Sequence, residues 1–149
     1  MAKFDDLDIK IIRELKWDSR QSYRDIARKL EVAEGTVYNR INKMREGDLI
    51  KGFMVDIDYS KLGYDLTALI GITTEGGSLQ EVEQEISKEP SISALYDVTG
   101  EYDALLVAKF KDREGLNNLV KKLLAMPEIK RTYTMVVLNV VKEEHGINV

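Results

Sequence analysis

Cysteine is absent from the 149 residues, and histidine and tryptophan occur once each. Without a thiol there is no disulfide framework, no thiolate zinc site and no cysteine nucleophile. The single His145 lies in the charged stretch Lys142-Glu-Glu-His-Gly, which reads as solvated. No nucleophile elbow, phosphate-binding glycine loop or metal-spaced His/Asp cluster occurs, so no catalytic residue, metal or cofactor is expected. Apolar runs are too short to cross a bilayer, and the acidic opening Met-Ala-Lys-Phe-Asp-Asp-Leu-Asp lacks the apolar core of a secretory signal. The expected address is the cytoplasm, with no membrane partner.

What is present is an ordinary globular composition, 44% apolar and 32% charged, on a chain long enough for one domain or two small ones. The net charge of −4 is unevenly spread: residues 1–52 carry +2 and residues 53–149 carry −6. A small basic module attached to an acidic one fits that division.

Leu7, Ile11, Ile12 and Leu15 recur at helical spacing, predicting a helix over residues 6–16 with Asp5 and Asp8 as a capping pair. Ser22 opens a second helix with Asp25 at its third position, and Ile26, Ala27 and Leu30 face inward. After a four-residue turn a third helix runs to about Glu46, where Gly47 is expected as a left-handed cap. Leu49, Ile50 and Phe53 begin an extended wing. Phe53 to Tyr59 alternates like a strand or stiff connector.

Further on, the pattern gives a strand over 66–74, a turn at Gly76-Gly77, and a helix opened by a Ser78–Glu81 capping box. Strands follow over 92–98 and 104–110, then a helix capped by Asp112 and a long strand over 129–141. The order is β-α-β-β-α-β. Pro90-Ser-Ile92-Ser-Ala-Leu-Tyr96 is echoed by Pro127-Glu-Ile129-Lys-Arg-Thr-Tyr133, 37 residues later. Two such halves build a ferredoxin-like sandwich with helices on one face of the sheet. The bare face, with Val136, Val137, Leu138, Val140 and Val141 on its last strand, is expected to bury itself in a homodimer.

On the third helix Val37, Ile41 and Met44 form one face. Gly35, Asn39, Asn42 and Lys43 form the opposite face, flanked by Thr36 and Tyr38. Asparagines suit adenine edges, and Lys43 suits phosphate or guanine; a plain solvated helix face has the same pattern. Arg40 sits at the border, either pairing with Asp8 or Asp18 or touching DNA. Arg20, Ser22, Arg24 and Arg28 surround the start of the second helix, where cations and amides can clamp a phosphate or simply be solvated. In the turn Thr99-Gly100-Glu101-Tyr102-Asp103, carboxylates suit an ammonium group and amides near Gly100 suit a carboxylate. The alternative is a hairpin whose glycine permits φ > 0 and whose Asp103 bonds its own backbone.

Phe4-Asp5-x-x-Asp8-x-x-Ile11-Ile12-x-x-Leu15, Asp18-x-Arg20-x-Ser22, Ile26-Ala27, Thr36-Val37-x-x-Arg40-Ile41-x-x-Met44, Gly47-x-Leu49-Ile50 and Gly100-x-Tyr102-Asp103 occur in this order. Together they resemble the Lrp/AsnC family, the feast/famine transcriptional regulators, over nearly the whole chain. The resemblance implies an α+β protein: a winged helix-turn-helix (residues 1–52), a hinge strand (53–63) and a ferredoxin-like effector-binding and oligomerisation domain (64–149). It implies dimers that associate further, often as octamers, and control by small amino acids. The effector is expected between dimers, near the Thr99–Asp103 turn and the strand carrying Thr132 and Thr134. Two positions depart from the family's habit: Glu31 stands where glycine is common, and Ala33 where serine caps the third helix.

The expected function is therefore sequence-specific binding of a pseudo-palindromic double-stranded DNA site, modulated by an amino acid. Arg20, Ser22, Arg24, Gly35, Thr36, Tyr38, Asn39, Arg40, Asn42 and Lys43 are the expected DNA-binding residues. A ligand-sensing oligomer whose first domain docks protein is the alternative.

Overall fold

Asp5 stops the chain in an extended conformation and turns it into α1 (Asp6–Trp17). Its Oδ1 accepts from the amides of Leu7 and Asp8 at 3.0 and 3.1 Å, and Asp8 Oδ2 accepts from the Asp5 amide at 2.9 Å. This reciprocal capping box satisfies donors that a helix start otherwise leaves open. Ser22 caps α2 (Tyr23–Lys29) by accepting from the Asp25 amide, and α3 (Glu34–Glu46) follows after four residues. Ile11, Leu15, Ile26, Ala27, Val37, Ile41 and Met44 meet in one core. Each large member contributes roughly 1.5–3 kcal/mol by leaving water.

This computed structural model describes residues 4–75, 79–144, 146, 147 and 149. They form two compact units: the segment through Asp56 together with the tail from Glu144, and Ile57–Glu143. In the first unit the tail lies on α1, where Arg13 Nε donates to the Val149 carbonyl and Lys16 to that of Ile147.

Both weak points of the helix-turn-helix are real. Glu31 takes φ +55°, and Ala33 caps α3 with no side-chain hydrogen bond. A left-handed non-glycine residue costs roughly 1–2 kcal/mol, and a missing cap about 1 kcal/mol. Glu31→Gly and Ala33→Ser are each expected to stabilise the first unit by about 1 kcal/mol. Denaturant titration checks this; a lowered midpoint for either variant contradicts the local assignment.

The end of α3 differs from expectation. Gly47 has φ −91°, and the left-handed residue is Asp48, at φ +56°. Leu49 N–H donates to the Met44 carbonyl and Asp48 N–H to that of Arg45, the paired bonds of a Schellman ending. Aspartate tolerates this conformation. Space at Gly47 is tight: a Cβ would lie 3.2 Å from the Lys43 carbonyl and 3.4 Å from the Phe4 ring. Nor does a wing or hinge strand form. Residues 51–58 are exposed and without regular structure, followed by a 3₁₀ turn at Tyr59–Leu62. An alternating sequence becomes a strand only where a neighbouring strand takes its hydrogen bonds, and none does so here.

In the second unit β1 (Leu66–Thr74), α4 (Leu79–Ile86), β2 (Ile92–Asp97), β3 (Ala104–Phe110), α5 (Arg113–Leu124) and β4 (Ile129–Val136) give an antiparallel sheet ordered β2-β3-β1-β4. The Gly76-Gly77 turn and the Ser78 cap lie outside the described residues. Asp112 caps α5 through the Gly115 amide at 2.8 Å. Ala68, Ile70, Ile72, Leu106 and Ala108 pack with Val82 and Ile86 of α4 and with Leu119 and Leu123 of α5.

β4 stops at Val136 rather than running to Val141. Ala68 opposes Val136 and Thr67 accepts from Val137, so the next residues run past the start of β1. The bare face is consequently built from other residues than expected. Val136 opposes Ala68 and so lies on the helix side. The open face carries Leu69, Leu105, Val107, Tyr133 and Met135, with Tyr96 toward the β2 edge. The sequence echo is visible in space: Ile92 and Ile129 both join the helix-side core, while Tyr96 and Tyr133 both lie on the open face. No helix among the described residues is long and apolar enough to cross a membrane.

Candidate nucleic-acid interface and effector turn

Once Val37, Ile41 and Met44 are fully buried, the 100° step of α3 fixes what points outward. Gly35, Tyr38, Asn39 and Lys43 are exposed, whereas Thr36, Arg40 and Asn42 are half-buried. Tyr38 leans on Tyr23 of α2, with ring centroids 6.1 Å apart. Asn42 faces a shallow polar groove shared with Arg45, Asp48 and Lys51. Arg45 and Lys51 bring two cations to this groove, and the helical wheel places Arg45 beside Asn42.

Around the start of α2, Arg20, Arg24 and Arg28 are exposed. Arg28 binds Asp25 at 2.6 Å, and Ser22 Oγ donates to Asp25 at 2.6 Å. That hydroxyl bond is the main reason the Asp25 carboxyl is held below its usual range. The Ser22 hydroxyl is thus engaged twice in capping and Arg28 is paired with Asp25, while Arg20 and Arg24 are the other exposed cations of this corner.

Arg40 settles on neither Asp18 nor open solvent. Its Nη1 donates to Asp5 Oδ2 at 2.5 Å and to both Asp8 oxygens at 3.2 and 3.3 Å. Asp8 is fully buried, and the Arg40 side chain is 29% exposed. The guanidinium hydrogen bond, chiefly, holds the Asp5 carboxyl below its usual value. Among the expected DNA-contacting side chains, Arg40 is therefore committed within the fold, as the Ser22 hydroxyl is: a buried carboxylate needs a paired cation.

The turn before β3 is organised by two contacts that sequence did not reveal. Asp103 Oδ2 accepts from the Thr74 amide at 2.7 Å and its hydroxyl at 3.1 Å, across to β1 rather than within the turn. Gly100 does take φ +122°. Tyr102 lies over Gly71, where a Cβ would come within 2.6 Å of its ring, and its ring meets that of Tyr133 at 5.8 Å. Burial pushes the Tyr102 hydroxyl pKa up, and the negative charge of Glu101 adds to this. Thr99, Gly100 and Glu101 are exposed.

Thr132 and Thr134 do not join this cluster. They oppose Ile72 and Ile70, on the helix side, while Tyr102 and Tyr133 occupy the other face. The alternation of β4 separates them: neighbours one residue apart point to opposite faces. Register between β1 and β4 was the missing information. Among the described residues no group of His, Asp or Glu side chains is arranged to hold a metal.

Residues 4–45 match the AsnC-type helix-turn-helix domain, and residues 67–147 match the Lrp/AsnC ligand binding domain. An uncharacterized HTH-type transcriptional regulator of Pyrococcus furiosus is 49% identical over 95% of this chain and 96% of its own length. The solved structure of E. coli AsnC superimposes with a TM-score of 0.90 at 25% identity, covering 97% of this chain and 98% of that one. A transcriptional regulator of Neisseria meningitidis, solved as an L-Met complex, shares the fold at a TM-score of 0.88 and 20% identity, covering 99% of this chain and 96% of that one. With a three-helix reader whose polar face is turned outward, a ferredoxin-like sheet, and both domain families matched in order, this chain belongs to the Lrp/AsnC family of transcriptional regulators.

Proposed function

We propose that the chain recognises a specific, pseudo-palindromic DNA site as a dimer or larger assembly, and that a small amino acid bound at the effector turn changes that affinity. The observation carrying this reading is the division of α3, with Val37, Ile41 and Met44 at 0% exposure behind an outward face of Tyr38, Asn39 and Lys43. Asn39 and Asn42 are assigned to base edges; Lys43, Arg20, Arg24 and the Gly35–Thr36 start of α3 are assigned to phosphates. Two such helices belong about one DNA turn apart, roughly 34 Å. Pairing of the open sheet faces through Leu69, Leu105, Val107, Tyr133 and Met135 supplies the two-fold symmetry. Residues 1–52 serve as reader, 53–63 as hinge and 64–149 as sensor and tail, the tail from Glu144 returning to the first unit.

For the effector, the Glu101 carboxylate suits an ammonium group and the amides around Gly100 suit a carboxylate, with the Tyr102–Tyr133 pair beside them. The L-Met bound to the Neisseria protein is of this ligand class. Thr132 and Thr134 are left out because they oppose Ile72 and Ile70 on the other face.

Fluorescence anisotropy on genomic fragments at two salt concentrations tests the first part. Expected is a persistent preference for some fragments over random DNA, with affinity falling by roughly 0.9 log units per log unit of salt for each phosphate contact. Equal affinity for all fragments removes the reading. Sedimentation with each of the twenty amino acids tests the second part; a change of assembly with at least one is expected, and no response to any removes the effector assignment.

A further inference from the structure

We infer that the Asp5–Asp8–Arg40 cluster sets the orientation of α3 for base reading, making Arg40 a positioning residue rather than a DNA contact. This rests on the DNA-reading function proposed above. Arg40 sits on α3 between Asn39 and the Asn42–Lys43 pair, one turn or less from each. Its guanidinium reaches back to Asp5 and Asp8, the same two carboxylates that cap α1. One set of charge-assisted hydrogen bonds therefore closes the N-terminus of α1 and fixes the middle of α3.

Ile11, Ile41 and Met44 hold the helices together, and their interdigitation sets the crossing angle only to within about 15–20°. Hydrogen bonds weaken steeply with angle, so a bond from Asn39 to a base edge depends on how α3 is pitched. The buried Asp8, at 0% exposure, gives Arg40 one well-defined seat.

The sign of one mutation separates positioning from simple electrostatics. Asp8→Asn removes negative charge from a DNA-binding domain, and electrostatics alone makes DNA binding tighter. Loss of orientation makes specific binding weaker. The full-length protein and its Asp8→Asn, Arg40→Gln and doubly substituted variants are compared by anisotropy. The probes are the genomic fragment that the unmodified protein binds best and random DNA of equal length, across a salt series.

Either single substitution is expected to weaken binding to the preferred fragment by about tenfold, the factor of one lost base contact. Affinity for random DNA is expected to hold or rise for Asp8→Asn, and the salt slope to stay unchanged in all variants. The double variant is expected to lose no more than either single one. Asp5→Asn, which leaves the buried pair in place, gives the same readout with a smaller loss should Asp8→Asn fail to fold. Tighter specific binding in both aspartate variants overturns the inference. So does an Arg40→Gln variant that weakens both DNAs alike and lowers the salt slope by about one unit, the behaviour of a phosphate contact. Absence of any fragment preference in the unmodified protein is a different failure: the DNA-reading function falls first and this inference with it.

Discussion

Asn39→Ala combined with Lys43→Ala is expected to remove most of the preference for the operator while leaving the fold untouched. Both side chains are exposed, and the apolar face behind them is complete without them, so the thermal midpoint should move little. An asparagine paired to adenine is worth about 1–3 kcal/mol of discrimination. Removing it together with a phosphate cation should lower specific affinity on the order of 100-fold per site, since tenfold corresponds to about 1.4 kcal/mol and a dimer presents each residue twice. The two losses differ in kind. Lys43 removal should weaken binding to every sequence and reduce the salt slope by about one unit per contact. Asn39 removal should act on the preferred sequence alone. Anisotropy over a salt series resolves both; unchanged affinity for the preferred fragment shows that α3 is not the reader.

The second large effect is expected from adding one methyl group to the sheet. Gly71 lies in the middle of β1, opposite Leu105 and Tyr133, where alanine would ordinarily strengthen a strand. Here a Cβ would stand 2.6–2.8 Å from the Tyr102 ring. The contacted atoms include Cγ, near the root of the side chain, so rotation about its end cannot relieve the clash. Gly71→Ala is expected to destabilise the second unit by about 1–3 kcal/mol, the usual range for overpacking, and to displace the turn that Tyr102 anchors. Any amino-acid binding at that turn should weaken with it, as read by calorimetry. Placed on a Tyr102→Ala background, Gly71→Ala should cost nothing further or stabilise slightly. A destabilised double variant, or a single variant at least as stable as the unmodified protein, shows that the ring does not rest on this glycine.

Much of the architecture is legible without coordinates because it is local. The Asp5–Asp8 pair, Ser22 and Asp112 each cap a helix through bonds spanning three residues. The 3.6-residue period marks the inward faces of α1, α2 and α3, and the echo of Pro90–Tyr96 in Pro127–Tyr133 marks the two halves of the sandwich. Glu31 and Ala33 stand out as a strained turn and a missing cap only beside the family the chain resembles, which commonly has glycine and serine there. Gly47 shows where local reasoning runs short: the left-handed conformation falls on its neighbour Asp48, one residue later than a glycine cap predicts.

The length of β4 and the absence of a strand over 51–58 have the same origin. Strand formation needs hydrogen-bonding partners, and partners are a property of the assembled sheet. It is the family resemblance that points to Thr132 and Thr134 as effector contacts. A register with Ile72 and Ile70 turns them to the other face, and a slip of a single residue would reverse it.

By itself, then, the sequence determined the element order, the caps and the polar face of α3, because each depends on spacing along one helix or one strand. Tertiary structure decided which carboxylates hold Arg40, why Gly71 has no side chain, and which face of the sheet is bare. Those contacts join residues between 31 and 68 positions apart, whose approach is set by packing and register rather than by any pattern along the chain.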